Sequence, residues 1–162
     1  VQLAFNGFSD EERNNGAEYA YLRPMGIDLG VVEAARDAIT AGETSMIAKL
    51  AGGDPGAVTR EHVIEAAGKN DTLALRLVSE AGSRLGVKIS YVVNFLNPEV
   101  VVIGGGMERS GDALLDAARG AVRKFAFEEP ASAVKVVPSL LGEDGIVLGA
   151  AALSAREVFI QA

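Results

Sequence analysis

The chain has no cysteine, and its one histidine is His62. Without cysteine, disulfides and thiolate metal sites are excluded within these residues. A lone histidine argues against a zinc centre and leaves no Ser-His-Asp set for nucleophilic catalysis. His62 reads instead as a residue in the first turn of a surface helix. Basic residues are outnumbered, 15 against 22 acidic, for a net charge of -7. The longest basic run is Arg123-Lys124, whereas a nucleic-acid surface needs clustered Lys and Arg. DNA contact is therefore not expected of these residues. No apolar run reaches the length of a membrane span and no leader-like segment opens the chain, so no membrane partner and a cytoplasmic location are expected. Val1 starts directly in "VQLAF" without an initiator methionine, which suggests a processed product or a fragment.

What is present is apolar and rich in glycine. Of 162 residues, 49% are hydrophobic and 19 are glycine, which fits one globular domain with a sizeable core. Val1–Phe5 and Glu18–Leu22 read as short strands around an exposed loop, 6–16, and Pro24–Gly30 as a connection. Val31–Ala41 has helical spacing, with Gly42 as its stop. Thr44–Leu50 reads as a shorter helix, and Thr59 as the N-cap of a helix to about Gly68. Asp71 caps the longest helix, striped by Ala74, Leu77, Val78, Ala81, Leu85, Ile89, Val92, Val93 and Leu96 and ended by Pro98. Leu73, Leu75, Val87 and Tyr91 lie off that stripe and predict burial on more than one side. Val100–Ile103 reads as a buried parallel strand and Ser110–Phe125 as an amphipathic helix. Val134–Val137 is a second strand, and alanine-rich Gly145–Val158 a last helix suited to close packing. The order helix, strand, helix, strand, helix implies parallel strands with helical crossovers in an α/β fold. Two strands make a poor sheet, so further strands must come from elsewhere.

The sharpest local signal is "NPEVVVIGGGMERSGD", 97–112. A strand runs into Gly104-Gly105-Gly106 just before a helix, where anions find free backbone N–H groups. It is not G-x-G-x-x-G, because Glu108 and Arg109 stand where the last glycine belongs, and no G-K-[ST] makes it a P-loop. A ligand-lining loop and a plain turn both stay open on these residues alone. Glu143-Asp144 could hold a metal or exchange protons, but such a pair more often supplies a turn and charge at a helix N-terminus. "MGIDLG", 25–30, has the Asp28-Leu29-Gly30 of a phosphate loop without its second glycine and hydroxyl, and reads as a decoy.

"GVKISYVVNFLNPEVVVIGGGMERSGDALLDAARGAVRK", then "VKVVPSLLGEDGIVLGAAALSAREVF", resembles the C-terminal part of the ROK family (repressors, open reading frames and kinases). "TREHVIEAA", 59–67, and "NDTLALRLVSEAGSRLG" are similar to it as well. The resemblance spans about Val31 to Phe159, leaves 1–30 unassigned, and makes 31–162 the C-terminal α/β domain. It implies the C-terminal lobe of an actin-like ATPase (ribonuclease H-like) fold. It also implies a nucleotide cleft whose adenine side is lined by Gly104, Gly105, Gly106 and Met107, a site only latent in one lobe. No catalytic residue and no metal ligand is assigned here. The family's D-x-G-G-T loop, catalytic Asn-Asp pair, sugar motif and helix-turn-helix would all precede Val31. The first expectation is thus the sugar-sensing and oligomerising part of a transcriptional regulator, without kinase activity of its own. Its DNA contacts would lie in an upstream domain, and its sugar would bind the full-length protein. Alternatives are the same lobe of a glucokinase-like sugar kinase using ATP and Mg, or a purely structural domain. A homo-oligomer is expected in each case.

Overall fold

A computed structural model describes residues 29–160. The proposed early strands, and Met25 to Asp28 of the decoy loop, lie outside them. Helices α1 (Val31–Thr40), α2 (Met46–Leu50), α3 (Arg60–Gly68) and α4 (Thr72–Leu96) come first. They are followed by β1 (Val100–Ile103), α5 (Asp112–Phe125), α6 (Glu128–Ala133), β2 (Lys135–Pro138) and α7 (Gly145–Ile160).

The helix starts follow from side chains that satisfy orphan N–H groups. Asp71 accepts from Ala74 N–H at 3.0 Å to cap α4 and from Met46 N–H at 2.8 Å at the start of α2. The Ser45 hydroxyl donates to the same carboxylate at 2.8 Å while accepting from Ile47 N–H at 3.0 Å. One aspartate thus joins two helices. Burial works against its charge, but the Met46 and Ala74 N–H groups and the Ser45 hydroxyl outweigh it and hold the carboxyl below its ordinary value. Thr59 and His62 close a capping box on α3: the hydroxyl accepts from His62 N–H, and His62 Nδ1 accepts from Thr59 N–H, both at 3.3 Å. The lone histidine is spent on helix geometry. At its other end, α4 stops at Asn97 in the left-handed region, φ 45°, just before Pro98.

The core is aliphatic. Val31, Ala35, Ile47, Val63, Leu77, Val78, Val93, Leu114 and Val122 are all buried in one cluster. Off-stripe Leu73 is buried too and Leu75 packs against the cluster, so α4 is covered on more than one side. Tyr91 is not covered. The tightest contact is between α4 and α5. A Cβ on Gly82 would sit 2.3 Å from the Leu114 carbonyl oxygen, and one on Gly86 2.3 Å from that of Ala118. The two helices run side by side in the same direction, as a strand placed between them in sequence requires.

β1 and β2 pair in parallel, Val100 beside Lys135 and Ile103 beside Pro138. Among the described residues this is a two-stranded sheet. Ile103 and Val136 point into the core, while Val100 and Val102 on the opposite face are exposed, Val102 at 61%. The strand expected to be buried is therefore covered on one face only, because the pleat sends alternate side chains to opposite sides. Further differences are local. The expected helix 110–125 begins at Asp112, and Met107–Ser110 forms a separate 3-10 turn. The short α6, with Pro130 inside it, gave no readable period. Side chains of α7 from Val147 to Arg156 are exposed, so the close packing its alanines suggested is not met by any described residue.

Candidate functional site

Parallel strands place the loops that follow them at one end of the sheet, the usual position of ligands in open α/β folds. Here these loops are 104–106 after β1 and 139–142 after β2. They touch: a Cβ on Gly104 would lie 3.1 Å from Ser139 Cβ. Gly105 and Gly106 have φ 94° and 97°, which L side chains rarely adopt, and no atom would crowd a Cβ on Gly105. Its glycine is required by backbone conformation, not by a neighbour.

Two charged side chains fix this turn. Arg60, the first residue of α3, donates from Nη1 to the Gly105 carbonyl oxygen at 3.2 Å. Glu108 reaches back so that its Oε2 accepts from Gly106 N–H at 2.8 Å. Its other oxygen, Oε1, is buried without a hydrogen-bond partner among the described residues. Arg60 also pairs with Glu61 at 3.1 Å. A hydrogen bond from its own backbone N–H, helped by Arg60, holds the Glu61 carboxyl below its ordinary value. Met107 turns its side chain into the core, and Ser110 Oγ donates to its carbonyl at 2.7 Å. Of the four candidate residues, the three glycines form the turn and Met107 anchors it from beneath.

Arg60 was not legible as part of this site. It lies 45 residues from Gly105 in sequence, and no local pattern marks a side chain that reaches across the fold. Glu108 was visible only as a residue where a glycine fingerprint fails. Asp144 is exposed in the 3-10 turn Gly142–Asp144 that leads into α7, in line with a turn role for that carboxylate. Among the described residues no group of three His, Cys, Asp or Glu side chains is placed to hold a metal, and no helix is long and apolar enough to cross a membrane.

Parallel strands joined by a helical crossover, with a glycine turn at their C-terminal ends, define an α/β lobe of the actin-like ATPase type. The model of the ROK family matches residues 36–157, and the chain belongs to that family. It is 32% identical to a glucokinase of Halalkalibacterium halodurans over 128 residues, 79% of this chain and 38% of that one. It is 33% identical to a glucokinase of Thermotoga maritima over 68% of this chain and 34% of that one. A putative xylose repressor of a Caldicellulosiruptor species is 33% identical over 57% of this chain and 23% of that one. Among solved structures, a ROK family transcriptional regulator homologous to the Escherichia coli MLC protein aligns with TM-score 0.61 and 26% identity, over 67% of this chain and 26% of that one. A ROK family glucokinase from Streptomyces griseus, in complex with glucose and AMPPNP, aligns with TM-score 0.69 at 24% identity over 76% of this chain and 40% of that one, a likeness of fold. The chain spans less than two fifths of the length of these curated relatives.

Proposed function

We propose that the chain is the C-terminal, sugar-sensing and self-associating lobe of a cytoplasmic ROK-type transcriptional regulator. The observation that carries this reading is Glu108. An ATP-binding turn offers free backbone N–H groups to an anionic ligand, but here the Gly106 N–H is already bonded to the Glu108 carboxylate at 2.8 Å. That carboxylate also brings negative charge to a turn whose nucleotide would be strongly negative. The glycine turn is then retained for its shape, and Gly104 to Met107 carry only latent nucleotide affinity. DNA contacts belong to an upstream domain, and the sugar to the cleft of the full-length protein.

The second reading is the C-terminal lobe of a glucokinase-like sugar kinase, with ATP and Mg bound between two lobes. It is favoured by the larger share of this chain that aligns with glucokinases, 79% and 68%, against 57% for the putative xylose repressor. In that reading the ATP phosphates and Mg would be held largely by groups of the other lobe, and this chain would supply the turn beside the base.

The deciding experiment is made on the full-length protein. A regulator shifts an operator-containing DNA fragment, releases it on adding the cognate sugar, and phosphorylates no hexose in an ATP-coupled assay. Hexose phosphorylation well above background, abolished by removing Mg, would overturn the first reading. Calorimetry on the present chain is expected to show no ATP binding at micromolar concentration. Micromolar affinity would show that Glu108 does not block the turn.

A further inference from the structure

The Lys135 N–H donates to the Glu99 carbonyl oxygen at 2.9 Å. Since peptide groups alternate in direction along a strand, those of Val136 face away from β1. On that side lies an open cavity of about 460 Å³, lined from α5 by Arg119, Val122 and Arg123, from α6 by Ser132, and from β2 by Lys135 and Val136. It runs along the side of the sheet, whereas Gly104 to Met107 stand at the C-terminal ends of the strands. None of those four residues lines it.

Every ionisable residue that lines the cavity is cationic, in a chain whose net charge is -7. Arg119 and Arg123 are one helical turn apart and share a face of α5. Arg119 is held in place: Nε donates to the Val136 carbonyl oxygen and Nη1 to Asp116 Oδ1, both at 3.0 Å. Its Nη2 has no hydrogen bond among the described residues, and the Arg123 and Lys135 side chains make neither an ion pair nor a hydrogen bond there. Like charges around one space raise each other's energy, and an anion between them reverses the sign of each interaction. A carboxylate is matched by a single guanidinium. A phosphate monoester, close to a dianion and with three terminal oxygens, suits two guanidinium forks and an ammonium. The floor is of another kind, since Val122 and Val136 are buried and apolar. The volume falls in the range of small-molecule sites and is far more than a phosphate group fills, which leaves room for an organic body over the valines.

We infer that this cavity binds a phosphate monoester with a compact apolar body, its phosphate held by Arg119, Arg123 and Lys135 and its body laid against Val122 and Val136. The inference does not depend on whether the full-length protein is a regulator or a kinase.

Phenyl phosphate carries both parts and serves as the probe. Titrated at neutral pH into the isotope-labelled chain, it is expected to move the amide resonances of Arg123, Ser132 and Val136 with a Kd on the order of 0.1 mM. Those of Gly104 to Gly106 stay in place. Inorganic phosphate, which lacks the body, and phenol, which lacks the charge, each bind roughly tenfold more weakly or less. Arg123→Gln weakens phenyl phosphate roughly tenfold, the loss of one charge-assisted hydrogen bond. Because Arg123 is exposed, the melting of this variant stays as in the parent. No movement at the cavity, movement confined to Gly104 to Gly106, phenol binding as tightly as phenyl phosphate, or indifference to Arg123→Gln would each overturn the proposal. Inorganic phosphate binding as tightly as phenyl phosphate would overturn the apolar half of it.

Discussion

The helices before Asn97 and the segment after it solve opposite problems. In the first region, most helix starts are capped by side chains and most apolar groups are covered, Tyr91, Phe95 and Leu96 at the end of α4 excepted. Asp71 joins two helix starts, Thr59 and His62 cap a third, and Arg36 donates to the carbonyl oxygens of Gly56 and Val58 at 3.1 and 3.0 Å. In the second, Val100, Val102, Leu140, Leu141, Val147, Leu148 and Leu153 are all exposed. α5 joins them most tightly, locked to α4 through Gly82 and Gly86 and to β2 through Arg119 Nε, which donates to the Val136 carbonyl oxygen at 3.0 Å. Stability therefore resides in the helical region, while the face that carries the glycine turn is the thinly covered one. Elements that bind or move are commonly drawn from the less protected part of a fold.

The largest expected effect is at the joint. Gly86→Val places new atoms against the Ala118 carbonyl and the Ala121 methyl, backbone and short side chain that cannot swing away. A loss of roughly 3 kcal/mol, the upper range of overpacking, should appear as a shifted urea midpoint with an unchanged slope. A near-neutral result would mean that α4 and α5 slide freely and that the two regions are not joined there.

Asp71→Ala comes next, at about 2 kcal/mol, because one substitution removes caps from two helices. Since the folded carboxyl is held below its ordinary value near about 4, its stabilisation is complete above that value and fades as pH falls through the lowered one. Urea midpoints of parent and variant should thus be far apart at neutral pH and converge in acid. A gap constant with pH would remove the charge from the explanation.

In the thinly covered region, Gly105→Val is expected to cost about 1–2 kcal/mol from its left-handed backbone alone, since a Cβ there meets open space. Gly105→Ala should cost nearly as much. A large difference between the two would reveal a steric neighbour. Val102→Thr should be smallest, within about 0.5 kcal/mol, as for an exposed site. Val78→Ala, in the buried helical region, should exceed it several-fold. If Val102→Thr were as costly as Val78→Ala, the open face would be covered in solution and the contrast between the regions would fail.

The sequence by itself determined the longer helices and most of their ends, α6 and the start of α5 excepted. Capping is local: Thr59 acts on its own helix within three residues, and Pro98 stops α4 because its ring disfavours helix in the residue before it. It also determined that Gly104 to Gly106 turn the chain after a strand, since a β-branched run followed by glycines admits few alternatives. Three things needed the tertiary structure, because each depends on residues far apart in the chain. Gly82 and Gly86 carry no local sign of a contact; only the fold brings the carbonyl oxygens of Leu114 and Ala118 to 2.3 Å from where their Cβ atoms would be. Val100 and Val102 read as core because apolar alternation cannot tell which face of a strand finds a cover. At the glycine turn, the fold lays Arg60 across Gly105 and turns Glu108 onto the Gly106 N–H. Only that contact shows the N–H to be occupied, because hydrogen bonding is decided by distance in space, which a sequence does not carry.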